Sequence, residues 1–377
     1  MIRMLSAYTT EIDEINDAYD EIIKQIDLNN LDTHSVGILY CHPEFAESGV
    51  ATAICDRLPF DVIGMTVAAV AGNGSLGTYG LSLCVLTGND ISFKSIYTDP
   101  FTAEDFEAKI DTAYQQARAS MAQDPAFIIS CFPMMNELMG YRMLDAMDKS
   151  CAGLPIYGGV CYGINFGNEK SCTLFNNQSS PNAIGMILVN GNVQPEFKAM
   201  ALPDRYTRHD RAVITESEGP ILRKVNDMPM LDYLSSVGYT VQTGAPIMVY
   251  YEGNDKPIAL SIYMTFEDGS ILCGGECPVG AAIALGDISR EVVLETSNES
   301  IKYITEAQGK NAAIIVPCSV RYFALYPESD EEMQLTADAL KIPYIMGYTG
   351  GELCPVADKN GVLRNRFHNF TYTSCLL

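Results

Sequence analysis

Two short segments of the chain place a glutamate directly after two glycines, with a cysteine one or two residues later. One is T-G-G-E-L-C-P at 349–355, and the other is C-G-G-E-C-P at 273–278. Cysteines this close together could bind a metal or form a redox pair. However, Cys273 and Cys277 are separated by three residues, whereas zinc knuckles and thioredoxin-like pairs use two. The spacing therefore argues against both chemistries, and no metal is expected.

The segment at 349–355 carries the better candidate, because Glu352 follows a predicted buried strand and α/β proteins bind ligands at strand ends. Gly350 and Gly351 would permit positive φ and leave N–H groups free for a ligand carboxylate or phosphate. Arg321, three residues after Cys318, could hold a ligand carboxylate in a bidentate manner. Arg321 and Glu352 would together suit a zwitterion such as an amino acid, or they would pair with each other. Both interpretations place them close in space.

Two further chemistries are open to the same region. Cys318 could act as a nucleophile with His368 as base and Glu352 as the orienting group, which would give acyl transfer or amide hydrolysis. No cysteine-protease signature surrounds it, so a binding protein is favoured over an enzyme. His368, in F-H-N-F-T, or His42 could instead be the axial ligand of a haem. That haem would be non-covalent, since C-x-x-C-H is absent from the sequence. No cofactor is expected from the residues themselves, and haem is the alternative.

These residues must be positioned by a strand–helix–strand pattern that occurs three times. V-G-I-L-Y-C, A-F-I-I-S-C and A-A-I-I-V-P-C are apolar segments that end at Cys41, Cys131 and Cys318. A helix-compatible stretch follows each one, and then a second strand introduced by proline. The pattern predicts an α/β fold, or α+β with mixed sheets, in two related domains. In the third unit, Ser329 and Glu332 form a predicted capping box at the helix start.

The predicted domain organisation has three parts. Residues 1–32 form a leading amphipathic helix, with isoleucines at helical spacing between Thr10 and Leu28 and a cap at Thr9 or Thr10. Residues 33–222 and 223–377 form the two α/β domains. The glycine-rich segment at 71–77 is interpreted as a hairpin or loop and not as a dinucleotide site, because it lacks the following helix and acidic partner. A final hairpin is predicted to turn at Lys359-Asn360-Gly361.

The amino-acid composition of the chain limits the classes of partner that it is expected to bind. The 377 residues include 47 acidic and 24 basic side chains, for a net charge of −23, which disfavours binding to nucleic acid or anionic membranes. Neither a secretory signal nor a membrane span is evident, so a cytoplasmic protein with reduced cysteines is expected. A homo-oligomer is compatible with the sequence.

Several motifs resemble the FIST family. C-S-V-R at 318–321, Glu332, G-Y-T-G-G-E-L-C-P and F-H-N-F-T resemble the C-terminal half of FIST proteins. Asp61–Gly64 and Pro155–Gly159 are similar to features of the N-terminal half, and the resemblance covers about residues 33–375. It implies a cytoplasmic sensory protein that binds a small ligand, with amino acids among the candidates. Some relatives bind haem and report nitric oxide.

The binding site is expected near the ends of strands, and a cleft between the two domains is its natural location. The expected ligand-binding residues are Cys318, Arg321, Gly350, Gly351, Glu352, His368 and Asn369, with Gly158 and Gly159 from the other domain. Since the chain shows no output module, a stand-alone sensor that signals through a separate, unidentified protein is expected.

Overall fold

The computed structural model describes residues 2–165, 167–208, 211–242 and 244–377. The α-helices are α1 (Ile15–Gln25), α2 (Pro43–Glu47), α3 (Val50–Asp56), α4 (Phe106–Ala119), α5 (Gly140–Ser150), α6 (Met230–Ser236), α7 (Arg290–Glu306), α8 (Ser319–Ala324) and α9 (Glu331–Ala339). Within these described residues, no helix combines the length and apolar character needed to cross a membrane.

The strands up to residue 200 are β1 (Arg3–Thr9), β2 (His34–Cys41), β3 (Val62–Thr66), β4 (Val70–Gly72), β5 (Ser75–Gly77), β6 (Leu81–Gly88), β7 (Ile91–Tyr97), β8 (Phe127–Phe132), β9 (Ile156–Val160), β10 (Thr173–Phe175), β11 (Gln178–Ser180), β12 (Gly185–Gly191) and β13 (Glu196–Met200). The later strands are β14 (Ala212–Glu218), β15 (Ile221–Val225), β16 (Met228–Pro229), β17 (Pro246–Tyr250), β18 (Ile258–Thr265), β19 (Ile271–Cys273), β20 (Ala282–Leu285), β21 (Ala313–Pro317), β22 (Tyr344–Gly347), β23 (Glu352–Ala357), β24 (Leu363–His368) and β25 (Tyr372–Leu376).

The three predicted strand–helix–strand units are present, and each forms a parallel strand pair. The pairs are β2 with β3, β8 with β9, and β21 with β22. Helices α2 and α3, then α5, then α8 and α9 make the three connections. The other pairings between described strands are antiparallel, so the sheets are mixed and the predicted α/β class with mixed sheets is confirmed.

Three of the four sheets contain strands from both sides of the predicted boundary at 222/223. β9 pairs with β23 in one sheet, while β4 pairs with β22 and β13 with β25 in another. In the third, which spans residues 212–285, β14 pairs with β20. The fourth sheet is local and contains strands from residues 3–180. The boundary at 222/223 stays a prediction, and the segments on either side of it share backbone ladders.

The leading segment is only partly helical. β1 occupies its start and pairs with β6, and α1 begins after Glu14 instead of at the predicted threonines. Glu14 makes no side-chain cap, and the hydroxyl of Thr9 instead hydrogen bonds with the Glu21 carboxylate at 2.5 Å. The predicted threonine cap is therefore wrong. The apolar face of α1 packs on the protein's own core.

Two predicted hairpins are confirmed. β4 and β5 are joined at Asn73 and Gly74, both with positive φ, which allows the tight turn. β23 and β24 are joined by the turn that contains Asn360 and Gly361. The predicted capping box is wrong, because Asp330 is the N-cap residue of α9 and the carboxylate of Glu332 is buried in an ion pair.

Candidate functional site

A cavity of about 690 Å³ lies between segments from both halves of the chain. The loop that connects β8 to α5 and residues around the start of α8 both line it. The lining residues include Met134, Met135, Leu138, Met139, Tyr162, Tyr263, Leu272, Gly274, Cys318, Val320, Phe323, Gly350 and Phe367.

Parallel pairing of β21 and β22 brings the two C-terminal motifs to this cavity. Because parallel strands end at the same sheet edge, Cys318 and Thr349 become neighbours and form an isolated parallel bridge. The Thr349 N–H donates to the Pro317 carbonyl at 2.9 Å, and the Ser319 N–H donates to the Thr349 carbonyl at 2.8 Å. The predicted proximity of C-S-V-R and T-G-G-E follows from this register.

Gly350 and Gly351 have a packing role. A Cβ on Gly350 would lie 2.2 Å from Met134 Cε, and one on Gly351 would lie 2.3 Å from Phe367 Cζ. The glycines therefore allow two cavity walls to approach the backbone. Neither glycine has positive φ, and the Gly350 N–H donates to the Val160 carbonyl at 2.9 Å. The glycines therefore do not use the positive φ that glycine permits, and the expectation of a free N–H is wrong for Gly350.

Gly158 and Gly159 lie in β9, opposite Leu353 and Glu352 of β23. A Cβ on Gly158 would be 1.8 Å from the Ser130 carbonyl oxygen. The structure thus places both glycines in a tightly packed strand pair, and neither lines the cavity.

Arg321 is fully buried and binds Glu332, not Glu352. Its Nε donates to Glu332 Oε1 at 3.1 Å, and its Nη2 donates to the same oxygen and to the Val293 carbonyl, the latter at 3.1 Å. Tyr348 donates its hydroxyl to Glu332 Oε2 at 2.8 Å. The predicted alternative that Arg321 pairs with Glu352 is therefore wrong. Arg321 does not line the cavity.

Glu352 is also fully buried, but only one of its oxygens is partnered. The Thr371 hydroxyl hydrogen bonds with Oε2 at 2.5 Å and the Thr371 N–H donates to it at 3.3 Å, while Oε1 has no hydrogen-bond partner among the described residues. Burial raises the pKa of Glu352 to about 8, although Thr371, Cys318 and Arg321 oppose that shift. The carboxyl group is therefore mainly protonated at neutral pH.

Cys318 lies between this carboxyl group and the cavity. Burial, followed by the neighbouring Glu352, raises the pKa of the Cys318 thiol well above its ordinary value. The thiol is therefore neutral at physiological pH, because both effects disfavour a thiolate. Burial, Cys318 and Glu352 together raise the pKa of Tyr263, whose ring also lines the cavity. The polar end of the cavity consequently presents neutral groups.

His368 and Asn369 are buried behind the cavity wall and have structural partners. His368 Nε2 lies 3.0 Å from the Cys354 carbonyl oxygen, and burial lowers the pKa of His368 to about 4. Asn369 accepts a hydrogen bond from the Ser261 N–H at 3.1 Å and donates to the Tyr263 hydroxyl at 3.2 Å. Asn369 thereby positions Tyr263 without lining the cavity itself.

The arrangement required for cysteine catalysis is not assembled. His368 hydrogen bonds with the Cys354 carbonyl, no hydrogen bond joins it to Cys318 among the described residues, and the high thiol pKa opposes activation. The two histidines considered as axial haem ligands, His368 and His42, do not line the cavity. His42 Nδ1 accepts the Glu44 N–H at 3.4 Å, and its ring packs against Tyr79.

Sequence reasoning missed most of the cavity wall. The Met-rich stretch after β8 is interpreted from its pattern as helical, but residues 133–139 form an irregular loop and α5 begins only at Gly140. The segment C-G-G-E-C-P at 273–278 also forms part of the cavity wall, since Gly274 lines the cavity. A Cβ there would lie 1.8 Å from Asn369 Oδ1. Clustered methionines are a weak signal of this wall, because they are equally common in cores.

Comparison with known families gives two adjacent matches. Residues 35–228 match the model of the FIST N domain, and residues 230–355 match that of the FIST C domain. No curated protein matches the chain. The cavity therefore brings together residues from both matched regions, including Met134 from the first and Cys318 from the second.

Proposed function

The chain belongs to the FIST family, whose domains are generally considered sensory modules for small ligands, and we propose that it binds such a ligand in the cavity beside Cys318. The cavity is the observation that carries the proposal. Its volume of about 690 Å³ lies within the range of about 300–1,000 Å³ for small-molecule sites. Apolar walls with a few neutral polar groups are typical of such sites.

The proposed response to the ligand is local. Separating the two halves of the chain would break the β9–β23, β4–β22 and β13–β25 ladders. The loop at 133–139 makes no such ladder, and its side chains form one cavity wall. A ligand that contacts Met134 and Met139 would shift the populations of loop conformations. We propose that a separate signalling protein recognises this change.

Amino acids remain a ligand class to be tested, because the family resemblance implies them. The zwitterion anchors expected from the sequence are not both available, since the Arg321 guanidinium is held by Glu332 outside the cavity. An amino acid would have to bind without that carboxylate anchor.

A thermal-shift screen of the full chain against amino acids and other small metabolites tests the proposal. We expect at least one compound to raise the Tm by several degrees, since a ligand that binds only the folded state stabilises it. Val320→Phe fills the cavity from α8 and should abolish the shift.

Val362→Phe is the matched control, because Val362 is 49% exposed in the β23–β24 turn. It should respond like the wild type. The proposal is wrong if no compound stabilises the wild type, or if Val320→Phe responds equally well.

A further inference from the structure

We infer that the ligand of this cavity is an uncharged, largely apolar molecule carrying one hydrogen-bond acceptor, and not a zwitterion or an anion. The inference rests on the proposed function, because it specifies the ligand class of the same cavity. It follows from the charges around the cavity, the position of its polar groups and the chemistry of its walls.

The first observation is the absence of ionisable charge from the cavity surface. Among the described lining residues there is no Asp, Glu, Lys, Arg or His, although the whole chain contains 71 Asp, Glu, Lys and Arg residues, the sum of 47 acidic and 24 basic side chains. In the loop at 133–139, the charged residue Glu137 is exposed and does not line the cavity. A charged ligand would thus lose its hydration on entering the cavity, and no lining side chain of opposite charge would compensate that loss.

The second observation concerns the nearest buried charges. Arg321 directs Nε and Nη2 toward Glu332, so that pair neutralises itself within α8 and α9. Glu352 is a buried carboxyl group beside Cys318, and its Oε1 has no hydrogen-bond partner among the described residues. Its raised pKa supports a neutral carboxylic acid at physiological pH. Among the described residues, neither the Arg321–Glu332 pair nor Glu352 therefore supplies a net charge that would compensate an ionic ligand.

The third observation identifies the polar end of the cavity. Tyr263 accepts a hydrogen bond from Asn369 Nδ2, while its own hydroxyl is 3.5 Å from the Gly350 carbonyl oxygen, the limit of a weak hydrogen bond. The hydroxyl proton can therefore turn toward a ligand oxygen. Cys318 also lines the cavity, but its thiol interacts with the Glu352 carboxyl group. A carbonyl or hydroxyl oxygen on the ligand fits the Tyr263 donor.

The walls favour a planar or aromatic body. Met134, Met135 and Met139 contribute polarisable thioethers, which make favourable contacts with aromatic rings. Phe323 and Phe367 contribute aromatic surface to the same cavity. An uncharged aromatic molecule with one oxygen acceptor satisfies all three observations.

Competition against Nile red, an uncharged dye that fluoresces in apolar cavities, tests the inference on the full chain. The competitors share one carbon skeleton and differ in charge: hydrocinnamamide is neutral, hydrocinnamate is an anion and phenylalanine is a zwitterion. We expect the amide to displace the dye at a concentration at least tenfold lower than either charged compound. Val320→Phe should weaken dye binding, and Val362→Phe should not.

The outcomes separate this inference from the proposed function. If hydrocinnamate or phenylalanine competes as well as the amide, or if no competitor displaces a dye that Val320→Phe excludes, the inference is wrong and the cavity still binds small molecules. If the dye does not bind, or if Val320→Phe leaves its binding unchanged, the proposed function is wrong as well.

A charge placed on the wall provides the second test. Val320→Lys should reverse the preference, so that hydrocinnamate competes better than the amide, whereas Val362→Lys on the exposed turn should change nothing. Met139→Lys, at a half-buried position in the loop, repeats the test if circular dichroism shows that Val320→Lys is unfolded. An unchanged ligand order in a folded variant would overturn the inference.

Discussion

Glu332 and Glu352 are both fully buried in the C-terminal half, but their surroundings differ. Glu332 receives hydrogen bonds on both oxygens, from Arg321 and Ser297 on Oε1 and from Tyr348 on Oε2. Glu352 has Thr371 on Oε2, and its Oε1 has no hydrogen-bond partner within the part of the chain that the structure describes. The same residue type is thus a compensated ion in one place and an uncompensated acid in the other.

The difference separates structural charge from the cavity. The Arg321–Glu332 pair joins α8 to α9, and the Arg321 contacts with Val293 and Ser297 add α7. Near the cavity, burial is opposed only partly, so the pKa of Glu352 rises to about 8. The buried charges of Arg321 and Glu332 hold helices together, whereas the buried Glu352 carboxyl group near the proposed ligand site is mainly neutral.

Breaking the compensated pair should have the largest effect. Arg321→Met leaves the buried Glu332 carboxylate without its cation and should lower the free energy of unfolding by about 3–5 kcal/mol. Urea denaturation measures the change. Arg223→Met is the control, since Arg223 pairs with exposed carboxylates of Glu218 and Asp268 and should cost less than about 1 kcal/mol. Equal losses in the two variants would contradict the structural role of Arg321.

Neutralising the uncompensated acid should have a pH-dependent effect. The folded pKa of Glu352 is about 8 against an ordinary value of 4.5, so between these values the unfolded chain releases a proton that the folded chain retains. Wild-type stability should therefore fall as pH rises through this window. Glu352→Gln should match the wild type near about pH 5 and be more stable by a few kcal/mol near about pH 9.

Urea denaturation at both pH values measures this difference. Glu332→Gln is the matched control and should be destabilising at both, because it removes a partner of Arg321. A Glu352→Gln effect that is independent of pH would show that Glu352 is ionised in the folded state.

The smallest expected effect tests the contact between Cys318 and Glu352. A serine hydroxyl is a stronger hydrogen-bond donor than a thiol, so Cys318→Ser should provide a partner for the orphan oxygen and lower the pKa of Glu352. Cys318→Ala offers no donor and should not lower it. The midpoint of the pH dependence of unfolding measures both, with an expected change of about one pH unit or less for serine. Identical midpoints would mean that the thiol does not face Oε1.

Local pattern was sufficient for much of the fold. Apolar runs, proline starts and asparagine–glycine turns predict the parallel pair β21–β22 and the hairpins at 70–77 and 352–368, because each depends on residues close in sequence. The observed register of that pair brings Cys318 beside Thr349. Strand sharing between the halves, as in β9 with β23, has no such local signal.

In the candidate site, too, some features follow from the sequence and others only from the tertiary structure. Sequence alone determined that Cys318, Gly350 and Glu352 belong to one neighbourhood, since parallel strands end at one sheet edge. Only the tertiary structure decided that Arg321 binds Glu332, because 47 carboxylates compete for 24 cations and burial selects among them. It also decided that the Gly350–Gly351 pair admits Met134 and Phe367 against the backbone, which turns an expected ligand cradle into the wall of a cavity.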